Sequence, residues 1–124
     1  DPVSGTDGRL EIIFRANVQA IAAINKERKI TSIFVGQIFN RPLLTTPSRP
    51  GWFPLLRNMD IWPLQDHFNH ILKDTAEAVG SLWIIPPVDE FQNADFVDKG
   101  HFSPRGSEKF ASILAPLVRA NCKN

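Results

Sequence analysis

Between Arg9 and about Arg28 the apolar residues Leu10, Phe14, Val18, Ile21 and Ile24 recur every three or four positions, behind a Ser/Gly/Asp-rich opening. That spacing predicts an amphipathic helix. Asn17 falls on its apolar side and needs a hydrogen-bond partner if buried, which suggests a tie to a neighbouring loop. From Ile30 to Phe39 the pattern changes. Ile33-Phe34-Val35 is a continuous apolar run, the mark of a parallel strand covered on both faces, and Gly36 at its end leaves room for another backbone to approach.

Asn40 to Pro63 carries Pro42, Pro47, Pro50, Pro54 and Pro63 with Trp52, Phe53 and Trp62. It is too rich in proline for regular structure and too aromatic for a solvated linker, so an ordered excursion that shapes a pocket or covers the sheet edge is expected. Leu64, Phe68, Ile71, Leu72 and Val79 then predict a second helix, Leu64 to Val79, ended by Gly80. Leu82-Trp83-Ile84-Ile85 reads as a second short strand, stopped by Pro86-Pro87. A last helix opens with Ser103 as N-cap and Pro104 at its first position, and presents Phe110, Ile113, Leu114 and Leu117. Pro116 is expected to bend or shorten its final turn.

Helix, strand, long loop, helix, strand, loop, helix is α/β wiring around a parallel sheet. Two short strands, however, offer too little surface for three amphipathic helices. Residues 1–124 therefore read as the C-terminal portion of one three-layer α/β/α domain, with further strands expected from an N-terminal portion or a partner chain.

Composition narrows the function. The chain is 43% hydrophobic and 22% charged, with a net charge of +1, as in a globular unit. Its 14 basic residues are scattered, without the Lys/Arg stripe and interleaved aromatics of a nucleic-acid groove, so no nucleic-acid partner is expected. No apolar run approaches the roughly 18 residues of a membrane span. The chain opens on Asp1 without the regions of a signal peptide, which suggests a processed or cut end. Cys122, the single cysteine, leaves a free thiol, an interchain disulfide or a bridge to an absent segment as alternatives.

The chemistry concentrates in Asp98-Lys99-Gly100-His101-Phe102-Ser103-Pro104-Arg105. A general-base histidine needs one tautomer and a stabilised positive charge, and a carboxylate on its far ring nitrogen supplies both. Asp98, three positions ahead of His101, can turn back onto the ring, and Gly100 tolerates a backbone geometry that other residues resist. Of Ser4, Ser32, Ser48, Ser81, Ser103, Ser107 and Ser112, none lies in a strand-to-helix elbow of the kind that exposes a nucleophile. Ser103 has capping as its expected task. His67 and His70 lie three apart beside Asp66 and Asp74, but on a solvated helix side and without a further His or Cys cluster, so neither a metal nor a cofactor is expected.

The run Phe96-Val97-Asp98-Lys99-Gly100-His101-Phe102-Ser103-Pro104-Arg105-Gly106, with the helix through Phe110 and Leu114, resembles the final block of the SGNH (GDSL-type) hydrolases. Upstream, the helix bearing Phe14, Asn17 and Ile21, the strand ending Phe34-Val35-Gly36-Gln37 and the strand Leu82 to Ile85 resemble that family's last helix-strand units in order. The resemblance implies a flavodoxin-like α/β/α fold, Asp98 as orienting acid, His101 as general base, and a small lipid, acetyl or carbohydrate ester as substrate. The family's nucleophile block, Gly-Asp-Ser, and its oxyanion block, Gly-x-Asn-Asp, do not occur in this sequence. The implied enzyme is then split, its serine on another polypeptide segment for which Cys122 offers a disulfide link, or the chain is a fragment. The competing expectation is a non-catalytic binding or interaction domain that keeps the fold.

Overall fold

A computed structural model of the chain describes residues 8–47, 52–53 and 55–122. Within them are helix α1 (Gly8–Glu27), strand β1 (Ile33–Val35), helix α2 (Asn58–Ala78), strand β2 (Leu82–Ile84) and helix α3 (Pro104–Asn121). Short 3-10 turns occupy Arg41–Leu43, Val88–Glu90 and Asn93–Asp95. The two strands pair in parallel, Ile33 with Leu82, Phe34 with Trp83 and Val35 with Ile84. Parallel neighbours need a crossover, and α2 provides it. The fold is thus α/β, three helices with a two-stranded parallel sheet.

The element order follows the hydrophobic pattern, with corrections at the edges. β1 is shorter than Ile30 to Phe39, and its residues are only half-buried rather than covered on both faces. α2 begins at Asn58, six residues ahead of Leu64, so Pro63 lies inside the helix. A proline in the second turn gives up only the bond to the Met59 carbonyl, and the helix start is tied down from outside. Asn58 accepts from the Trp52 backbone N–H at 2.7 Å, and the Met59 N–H donates to the Thr46 carbonyl at 3.2 Å. Gly80 ends α2 in the left-handed conformation, with φ of 71°. Pro116 does not shorten α3, which runs on to Asn121.

The proline-rich excursion is ordered where it is described. Phe39, Leu44 and Ile61 form a buried cluster, with Trp52, Leu56 and Trp62 packed against it. Pro50 and Pro54 lie outside the described residues. The Arg41 guanidinium stacks 4.6 Å from the Trp62 ring and holds Asp66, so the loop is latched to α2.

α1 rests on α2 through Val18 and Ala22, both buried, and through an edge-to-face contact of Phe14 with Phe68 at 5.1 Å. Much of its apolar face stays in solvent. Leu10 is 54%, Ile21 50% and Ile24 50% exposed, and Asn17 is exposed with no tie to a loop among the described residues.

Beyond the strand, Asn69 on α2 takes both backbone groups of Gln37, accepting its N–H at 3.0 Å and donating to its carbonyl at 2.6 Å. The β2 backbone does come close to Gly36, whose N–H donates to the Ile84 carbonyl at 2.8 Å, but the space on its Cβ side is taken by the Asn69 amide. A Cβ there would meet Asn69 Oδ1 at 2.8 Å.

Candidate functional site

The segment that carries the site begins with three interlocked residues. Asp95 is fully buried and accepts the Gln92 N–H at 2.8 Å, closing the turn Asn93–Asp95. Lys109 bonds its Oδ2, while Arg105 Nε approaches Oδ1 at 3.1 Å without hydrogen-bond alignment. The Gln92 amide and then the Lys109 ammonium hold the Asp95 carboxyl below its ordinary range. Gly106 lets α3 come down on this turn, since a Cβ there would lie 1.9 Å from the Asp95 carbonyl oxygen. Ser103 caps the helix by accepting from the Gly106 N–H at 3.2 Å, and its hydroxyl donates to the Ala94 carbonyl at 2.7 Å.

From this base a short loop projects. Phe96 and Phe102 form an antiparallel bridge, the Val97 N–H donates to the His101 carbonyl at 2.9 Å, and Phe91, Phe96, Phe102 and Phe110 pack ring to ring beneath. Residues 98–101 form the tip. Asp98 Oδ1 accepts the backbone N–H groups of Gly100 and His101, both at 2.8 Å. Its carboxylate also meets His101 Nδ1, at 2.8 Å from Oδ2 and 3.0 Å from Oδ1.

The two residues read from the sequence as acid and base are thus in contact, by the short turn that their spacing allows. Gly100 is there for another reason than the one expected. Its φ is not in the left-handed region; instead a Cβ would strike the Trp52 indole at 2.2 Å.

These donors set the electrostatics. Three N–H groups converge on Asp98, and chiefly the Gly100 amide, then the His101 ring, pull its carboxyl down to about 2. An ionised carboxylate only accepts, so the His101 nitrogen facing it carries the proton, and in the neutral imidazole this leaves the lone pair on Nε2. Nε2 makes no hydrogen bond among the described residues, and the imidazole side chain is 72% exposed.

No family model and no curated protein matches this chain.

The other candidates do not converge on the pair. Ser103 is occupied as cap and donor, Ser112 donates to Glu108 and Ser32 accepts from Asn25, while Ser4 and Ser48 lie outside the described residues. His67 bonds Glu11 at 2.8 Å, and His70 Nδ1 lies 2.7 Å from the Asp66 carbonyl oxygen. Asp66 itself is engaged by Arg41, and no group of three metal-ligating side chains occurs among the described residues. Cys122 is exposed and free.

Several site residues carried no signal in isolation. Asn40 is buried; its N–H donates to the Lys99 carbonyl at 2.9 Å and its amide to Asn93 at 2.8 Å, which ties the tip to the chain leaving β1. The tip accordingly lies at the carboxyl end of the parallel strands, where open α/β sheets place their ligands. For Asp95 a signal existed in retrospect, Arg105 and Lys109 one helical turn apart on the face that meets it.

An apolar groove of about 690 Å³ runs between α1, β1 and α2, lined among others by Phe14, Val18, Phe34, Phe53, Leu64 and Phe68. Two of its lining residues, Phe39 and Phe53, touch Trp52, which packs on the tip.

Proposed function

We propose that this chain supplies the acid and base of a serine-dependent ester hydrolase of SGNH type, with Asp98 orienting His101. The observation that carries the reading is the 2.8 Å contact between Asp98 Oδ2 and His101 Nδ1, with Nε2 left unbonded among the described residues. In such a site a serine hydroxyl stands at Nε2 and attacks the ester carbonyl as the imidazole takes its proton. The proton then passes to the leaving alcohol, and water resolves the acyl-enzyme by the same route. Asp98 stabilises the transient imidazolium and remains ionised throughout.

The serine and the oxyanion donors belong to another polypeptide segment in this reading. Two features support that. β1 has β2 on one side and no strand on the other among the described residues, and α1 leaves large apolar side chains in water, as if further strands complete a three-layer sheet. Cys122, exposed and free, is available to a disulfide with such a partner.

The test is direct. Replacing His101 with Ala in the native protein should lower ester turnover by about 10⁴-fold or more, and a fluorophosphonate probe should label a serine in an accompanying segment. Undiminished turnover in the variant rejects the assignment. The second reading, a binding domain that meets no nucleophile, is favoured by the full occupation of Ser103, the serine nearest His101 in sequence. Absence of labelling in every associated polypeptide selects it.

A further inference from the structure

An exposed ion pair does not hold itself. The side chains of Asp98 and His101 are 47% and 72% exposed, and pairs of that kind are worth little against side-chain entropy in water. The backbone N–H groups that bond Asp98 fix the carboxylate but leave the imidazole free to rotate away. Something else must bias the ring, and one large side chain reaches it from the proline-rich excursion.

Trp52 lies across the tip of the turn. Its ring atoms Cη2 and Cζ3 cover Gly100 so closely that a Cβ would meet them at 2.2 and 2.8 Å. The indole stands edge-on to the His101 imidazole, with centroids 6.3 Å apart at 81°. From behind, Trp52 is set by Phe39 at 5.6 Å and 85°, by Phe53 at 5.1 Å, and by its own N–H on Asn58. Phe39 belongs to the buried cluster and Asn58 opens α2, so the indole joins the tip to the body of the fold.

We infer that Trp52 is a positioning residue: its indole pins the Gly100 backbone and confines the His101 ring to the orientation in which Nδ1 faces Asp98. The glycine is required because the indole needs the space. The conformational part of this proposal stands on the contacts alone; its consequence for turnover rests on the hydrolase reading above.

The test reads the ring nitrogens of His101 by nitrogen-15 NMR in the native protein, together with kcat and KM for a small ester. Trp52→Ala should lower the Nδ1–H tautomer population and reduce kcat about tenfold or more with KM little changed, and Trp52→Phe should recover part of both. Gly100→Ala keeps the indole within its cluster but displaces it from the turn, and it provides the same readout should Trp52→Ala fail to fold. Because both substitutions act through one contact, the double variant should be no worse than the poorer single one. Unchanged His101 signals in Trp52→Ala or Gly100→Ala, or fully additive effects of the two, would overturn the proposal. A shift of those signals by Trp52→Ala, beside undiminished turnover in His101→Ala, would keep the positioning role and sink the hydrolase reading instead.

Discussion

The segment from Phe91 to Phe110 and the assembly of α1, β1 and the start of α2 solve opposite problems. In the first, a 3-10 turn, a bridged loop and a capped helix satisfy one another. Asp95 receives Gln92 and Lys109, its carbonyl accepts the Ser103 N–H at 2.9 Å, and four phenylalanine rings fill the space below. In the second, an apolar groove stays open, half-buried strand residues line it, and Ile12 and Ile13 on α1 are 67% and 55% exposed. Local, mostly polar and directional contacts complete the first region within the chain. The second depends on burying area, and two helices with one short strand leave much of theirs open. The catalytic pair proposed here therefore sits on the self-sufficient part, while the apolar surface of the other region stays open among the described residues.

The comparison is sharpened most by Asp98→Asn. The amide oxygen still accepts from Gly100 and His101, so the turn should survive, but the NH2 group or a flipped tautomer now faces Nδ1, and turnover in the native protein should fall by about 10⁴-fold. The pH dependence has a definite sign. A carboxyl lowered to about 2 contributes stability that is complete above the ordinary value of about 4 and is lost as pH falls towards the folded one. The difference in thermal midpoint between wild type and Asp98→Asn should thus shrink from pH 4 to pH 2, and a difference that grows instead would remove Asp98 from its role in the turn.

Gly106→Ala strikes the base of the same region. The clash is with the Asp95 backbone carbonyl, which cannot swing aside, so a loss of about 3 kcal/mol or more is expected in denaturant unfolding. An Ala variant of wild-type stability would show that α3 is not seated on that turn.

Asn69→Ala probes the other region. It leaves the Gln37 N–H and carbonyl without the partner that now closes the strand's end, at about 2 kcal/mol, and faster amide exchange at Gln37 should mark the site. A smaller effect, about 1 kcal/mol, is expected for Ser103→Ala through loss of the cap. If Asn69→Ala proves costlier than Gly106→Ala, the contrast between a self-sufficient and an open region fails.

Where the chain's own chemistry is local, it was readable. The cap Ser103 with Pro104, the terminator Gly80 and the closeness of Asp98 to His101 all depend on residues within a few positions of each other. The helix start at Asn58 was hidden because proline density masks a boundary that Thr46 and Trp52 secure from outside. Gly100 and Gly36 were noticed as permissive residues, but what fills the space beside each, an indole and an amide, lies far away in sequence. Asn40 and Asn69 had no local reason to be singled out, and Asp95 showed itself only through Arg105 and Lys109 further along the chain.

By itself, then, the order of residues determined three amphipathic helices, two short apolar strands and a carboxylate within reach of an imidazole, because periodicity, capping and short turns act over a handful of positions. Only the tertiary structure decided that Trp52 lies on Gly100 beside His101, that Asp95 anchors α3, and that most of the α1 apolar face stays in water. Those outcomes depend on which distant surfaces meet and on how much area remains to cover them, and no window along the chain contains that information.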